Sequence, residues 1–107
     1  MKLCLRGTEL RYVLTWQLAL HGPATIRELI DALEYHGFCV NGRASKAISD
    51  ALRWEIGRGR VRRLRRGRYG PLEFPRGTEH RIHQRVLTLR AEARRLRRSE
   101  DRGEWFG

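Results

Sequence analysis

Residues 57–69 read GRGRVRRLRRGRY, with seven arginines in thirteen positions and only Val61, Leu64 and Tyr69 apolar. A disordered basic arm needs no spacing. Here the glycines fall where a chain would turn and the apolar residues where strands would anchor. RVRRL (60–64) is short and extended with a β-branched residue, and Gly57 and Gly59 set it off from what precedes it. Arg65-Arg66-Gly67-Arg68 has turn composition, and Tyr69 begins a return strand that Gly70-Pro71 cuts off. The stretch is predicted to be a two-stranded hairpin with an arginine tip.

Upstream, residues 43–56 (RASKAISDALRWEI) have the pattern of a helix with Ile48, Leu52 and Ile56 as its apolar line and Ala44 and Ala51 beside it. Projected at about 100° per residue, the opposite face holds Arg43, Lys46, Asp50 and Arg53, with Ser49 and Trp54 on its borders. That face is polar and mostly cationic, as a solvated surface or a phosphate-binding one would be. Before the connector FCVNG (38–42), TIRE (25–28) is a capping box in which Thr25 and Glu28 reciprocally satisfy free backbone amides. Ile26, Leu29, Ile30 and Leu33 follow at helical spacing, and Gly37 closes the helix at His36. The first helix is predicted from Thr8, its cap, to His21. Leu10, Val13, Leu14, Gln17 and Leu18 share one face, and Gly22-Pro23 stops the helix.

Downstream of the hairpin, Pro75 and Gly77 separate a fourth helix, Thr78 to about Ser99, in which Ile82, Val86, Leu89, Ala93 and Leu96 alternate spacings of four and three. Such a seam either covers its own domain's core or joins two chains. A parallel pair would set Arg85 against Arg90, so the dimer expected is antiparallel or mixed with the first helix. The tail DRGEWFG (101–107) is expected to fray unless Trp105 and Phe106 fold back. The division is thus one domain over 1–77, then a helix and tail over 78–107 that offer a dimerisation element.

The 107 residues suit one domain with a core that folds without staples. The formal charge of +11 is concentrated: residues 1–42 carry no net charge, residues 43–68 carry +8 and residues 69–107 carry +3. A block of this kind marks a phosphate-binding surface before a membrane surface or an acidic protein. Of the 23 basic residues 21 are arginine, the better bidentate donor to phosphate or guanine. No stretch approaches the roughly 18 apolar residues of a membrane span, and MKLCLRGTEL lacks a signal peptide's apolar run, so a cytoplasmic, nucleoid location is expected. Cys4 and Cys39 have no CxxC spacing and are expected to be free thiols. Phosphate-cradling, dinucleotide-binding, hydrolase and zinc-protease motifs are all absent, so no enzyme activity and no cofactor is expected. His80-x-x-His83 lacks further ligands and is not taken as a metal site.

The order of helix, Gly-Pro break, capped helix, connector, basic-faced helix and charged hairpin resembles the winged helix-turn-helix family of DNA-binding proteins, small bacterial transcriptional regulators among them. GPATIRELIDAL, SKAISDALRWEIGRGRV and RRLRRGRY carry the resemblance, over about residues 8–72. It implies a mainly α fold with a small β-hairpin: three helices and a wing, followed by the C-terminal helix. The partner implied is double-stranded DNA, bound by a homodimer as a sequence-specific transcriptional regulator. A nucleoid-coating architectural protein and an RNA- or ribosome-binding winged helix are the rivals. Only Trp54 and Tyr69 lie near the basic block, few aromatics for stacking single-stranded bases.

By the same resemblance, Arg43, Lys46, Ser49 and Arg53 would face the major groove, with Asp50 accepting from a cytosine or orienting an arginine. Arg58, Arg60, Arg62, Arg63, Arg65, Arg66 and Arg68 would hold the backbone or the neighbouring minor groove. Thr25 would hold one phosphate or only cap its helix. Ile82, Val86, Leu89, Ala93 and Leu96 would form the dimer interface, with half-sites about 34 Å apart. The chain departs from the family twice. Its connector, Gly37 to Gly42, exceeds the usual three or four residues. Glu55 stands where members carry an apolar residue, and requires an arginine partner or a register shift onto Ile56.

Overall fold

The structure is a computed structural model that describes residues 1–106, with side chains as far as Ser99. The elements run β1 (Leu3–Leu5), α1 (Gly7–His21), β2 (Ala24–Thr25), α2 (Ile26–Tyr35), β3 (Phe38–Val40), α3 (Ala44–Gly57), β4 (Val61–Arg65), β5 (Arg68–Pro71) and α4 (Arg76–Phe106). The chain is mainly helical with small sheets, and all four helices lie where the hydrophobic period places them. The strands β1, β2 and β3 fall outside the predicted elements.

α1 is the central helix. Leu10, Val13, Leu14 and Leu18 are buried as predicted, and the helix buries Thr15 and Trp16 as well because neighbours pack on two of its sides. Thr8 is not its cap. The helix begins a residue earlier, with Arg6 at the cap position and no side-chain cap, while the Thr8 hydroxyl accepts from Nη2 of Arg11 at 2.9 Å. Gly22 ends it at φ +87°, where its N–H donates to the Leu18 carbonyl at 2.8 Å. α2 starts on the predicted capping box: the Glu28 amide donates to Oγ1 of Thr25 at 3.1 Å, and the Thr25 amide donates to Oε1 of Glu28 at 2.9 Å.

The connector before α3 is a strand. Phe38 is fully buried, and β3 pairs in parallel with β1 in the register Leu3 with Phe38, Cys4 with Cys39 and Leu5 with Val40. This pairing overturns the expectation of free thiols, because it sets the two cysteines opposite each other and they form a disulfide. The bond closes a ring over a sequence separation of 35 residues that contains α1 and α2. It is a surface feature, with Cys4 exposed and Cys39 half-buried.

The predicted hairpin forms from β4 and β5 and is extended by β2 into a three-stranded antiparallel sheet ordered β2-β5-β4. Gly67, at φ +73°, supplies the left-handed residue of the turn, and the register slips between Arg63 and Arg65. Val61 and Tyr69 anchor the hairpin in the core, whereas Leu64 is 39% exposed and lies over Gly70. α4 runs antiparallel along α1, linked to it by the Arg85–Glu9 pair and by His83, whose ring stacks on Trp16 with centroids 4.2 Å apart. His83 is therefore a packing residue. α4 runs past the predicted end near Ser99, through the stretch expected to fray, as far as Phe106; the side chains of DRGEWFG lie outside the described residues. Among those described, no helix is long and apolar enough to cross a membrane.

One core joins α1, α2, α3, the hairpin and α4, so residues on both sides of the predicted boundary at 77 belong to it. Ile82, Val86, Leu89 and Ala93 are at most 2% exposed within the single chain. A fully buried aliphatic side chain contributes about 1.5–3 kcal/mol, so this stripe holds α4 against its own domain. It presents no open seam to a second chain, and only Leu96 of the five expected interface residues is partly exposed.

Candidate nucleic-acid interface

α3 turns its polar face to solvent as the projection predicts. Arg43, Lys46 and Arg53 are exposed, Arg53 with 82% of its side-chain surface accessible, and Ser49 is half-buried. Asp50 sits between two of these cations: Lys46 Nζ donates to its Oδ2 at 3.2 Å, and Nη1 of Arg53 lies 4.0 Å from Oδ1. Ion pairs this exposed contribute about 0.5 kcal/mol or less, so both cations can leave Asp50 for a stronger anion. α3 has no side-chain cap and no acidic residue in its first turn, which leaves amides at its N-terminus open beside Arg43.

Trp54, at the border of this face, is 51% exposed, with the guanidinium of Arg11 4.8 Å and that of Arg58 5.8 Å from its ring centroid. Arg53 and Arg58 line one shallow depression with Asp50 and Trp54, joining the end of α3 to the start of the hairpin. On the hairpin, Arg62, Arg63, Arg65 and Arg66 are exposed, and none has a carboxylate partner among the described residues. β4 is a free sheet edge, so its arginines also discourage pairing with a foreign strand.

Three expected contact residues are occupied elsewhere. Arg60 is a structural residue: its side chain is 12% exposed, its Nη1 donates to Oε2 of Glu55 at 3.3 Å, and its guanidinium lies 5.9 Å from the Tyr12 ring. Thr25 caps its helix. The first amides of α2 already have acceptors, Thr25 on Glu28, Ile26 on the Gly67 carbonyl at 3.4 Å and Glu28 on Thr25, so a phosphate there would meet the Glu28 carboxylate and few free donors. Arg68 is half-buried, with Nη1 3.9 Å from the same carboxylate. The Thr25 amide first, its hydroxyl next, and then Arg68 hold the Glu28 carboxyl below its ordinary value, against desolvation.

Glu55 has the arginine partners that its buried position requires, so no shift onto Ile56 occurs; Ile56, expected on the apolar line, is instead 37% exposed, and Glu55 is buried with Ile48, Ala51 and Leu52. Its carboxylate is wholly buried between α1, α3 and the hairpin. The Thr15 hydroxyl donates to Oε2 at 3.1 Å, Arg60 shares that oxygen, and Nε of Arg11 lies 3.4 Å from Oε1 without a hydrogen-bonding angle. Sequence reading named Arg60 for another role and did not single out Arg11. A buried carboxylate announces that it needs cations, but which ones depends on how α1 crosses α3. The chain matches no known protein family, no curated protein and no solved structure.

Proposed function

We propose that this chain binds double-stranded DNA through α3 and the β4–β5 hairpin, in the manner of a winged helix-turn-helix protein. The observation that carries the reading is uncompensated charge: of the two acids among residues 43–68, Glu55 is buried with Arg11 and Arg60, and Asp50 shares one weak surface site with two cations. Arg43, Arg62, Arg63, Arg65 and Arg66 are left exposed for a polyanion. The element order supports it too, since helix, capped helix, basic-faced helix and charged hairpin follow one another as in the resemblance drawn from the sequence. In this reading α3 enters the major groove with Arg43, Lys46, Ser49 and Arg53, and the hairpin arginines hold backbone phosphates. We read the protein as a transcriptional regulator, with the α4 stripe serving the fold and any dimer using other residues.

The test is fluorescence anisotropy with labelled duplexes at several salt concentrations. About six phosphate contacts predict a fall in affinity near 10³-fold between 50 and 200 mM salt. Arg62, Arg63, Arg65 and Arg66 replaced together by alanine should weaken binding to every duplex and flatten the salt slope by about 3 to 4. Arg53→Ala should instead change which duplexes are preferred. Equal affinity for all duplexes at about 150 mM salt would replace the regulator with an architectural DNA coater, and preference for structured RNA would replace DNA altogether.

A further inference from the structure

A second concavity lies on the other flank of α3, between it, the start of α1 and the β1–β3 pair, with a volume near 440 Å³. That falls within the range of about 300–1,000 Å³ in which small-molecule sites occur. Its floor is apolar, made by Leu5, Val40, Ala47 and Ala51, and Trp54 forms one wall. Arg6 and Arg11 stand at the α1 end. Arg11 has Glu55 and Thr8 as neighbours, but its Nε is buried with no hydrogen-bond partner. Arg6 has no carboxylate partner among the described residues.

We propose that this groove is a binding site for a small aromatic carboxylate. Around the groove four cations, Arg6, Arg11, Arg60 and Lys46, face two acids, Glu55 and Asp50, so positive charge is left over at the α1 end, where the two guanidiniums can each meet one oxygen of a carboxylate. A purely apolar ligand would desolvate Arg6 and Arg11 without compensation, and a sugar phosphate would place hydroxyls on an apolar floor. An aromatic ring fits that floor beside the Trp54 indole, with its carboxylate toward Arg6 and Arg11. The groove shares Asp50 with the polar face of α3, so its occupant lies within reach of the helix proposed to read DNA. The ligand site itself does not depend on that proposal.

The experiment is an amide-resolved NMR titration of the full chain, without nucleic acid, using indole-3-acetate, indole-3-acetamide and acetate as probes. Indole-3-acetate should bind saturably, shifting Ala47 and the Trp54 indole N–H. The amide and acetate should each bind about ten-fold or more weakly. Ala47→Phe, which fills the groove, should abolish binding. Arg6→Gln, at an exposed position that perturbs no packing, should weaken binding of the acid about ten-fold and leave the amide unaffected. Equal binding of acid and amide, shifts confined to the hairpin arginines, or indifference to Arg6→Gln would each overturn the proposal.

Discussion

Replacing Glu55 by alanine tests how this chain tolerates a carboxylate in its core. The side chain is fully buried and holds Arg11 and Arg60, whose side chains are 21% and 12% exposed, and it accepts from a buried Thr15 hydroxyl. Breaking a buried pair costs about 3–5 kcal/mol, since the surviving partner keeps its desolvation penalty without its counter-charge. The arginines here retain some water, which places Glu55→Ala near 3 kcal/mol. Glu55→Gln keeps the shape and the Thr15 bond, and should cost about 2 kcal/mol. Asp50→Ala removes a carboxylate of the same helix whose partners are exposed, and should stay within about 0.5 kcal/mol. Urea unfolding followed by circular dichroism, at low and high salt, separates the cases: a buried pair is poorly screened, so the Glu55 effect should persist at high salt. Arg60 joins the hairpin to α3, its amide donating to the Glu55 carbonyl at 3.1 Å, so hydrogen exchange in β4 should rise in the Glu55 variants. A cost below about 1 kcal/mol for Glu55→Ala, or one equal to that of Asp50→Ala, would refute the account.

Three further outcomes are expected. Reducing the Cys4–Cys39 bond, or replacing both residues by serine, removes a ring of 35-residue separation, worth about 4 kcal/mol in the chain-entropy model, and unchanged urea midpoints with and without dithiothreitol would contradict this. A cytosolic thiol pool would remove the same increment. Burial first, then Arg90 and His21, hold His36 below its ordinary 6.5, so the neutral ring is favoured in the fold. Its stabilising contribution is present above that value and is lost as pH falls through the depressed one; melting temperature should drop on acidification in the native chain and less in His36→Gln, equal slopes speaking against it. Thr25→Ala should cost about 1 kcal/mol as a lost cap and leave DNA affinity unchanged at equal salt; weaker binding by a folded variant would restore Thr25 to the contact surface.

The features legible in the sequence are those whose partners lie close along the chain. The capping box spans Thr25 to Glu28, and the hairpin's glycines and anchors fall within thirteen residues, so both could be read locally. The apolar stripe of α4 was legible as a face, but a stripe does not say whether α1 of the same chain or a second chain covers it. β1 and β3 were not legible, since each is three residues long and their parallel pairing joins segments far apart. The disulfide followed them out of view. At the candidate interface, exposure of Arg43, Lys46 and Arg53 followed from helical projection, whereas the withdrawal of Arg60 into the core depended on Glu55 and Tyr12 being nearby.

The hairpin is fastened along its return strand as well as at its base. Gly67 accepts from Ile26, Thr25 pairs with Arg68 and Ala24 with Tyr69, so the turn rests on the start of α2. A free-standing loop of arginines would have to give up backbone freedom on meeting a polyanion, at about 1–2 kcal/mol per residue ordered. In this chain that entropy is already lost in the folding step. Its arginines would then meet phosphates at spacings fixed relative to α2, and a backbone of different groove width, such as A-form, would not match them by loop adjustment. If the chain binds DNA as proposed, this clamp would make the hairpin a gauge of duplex geometry.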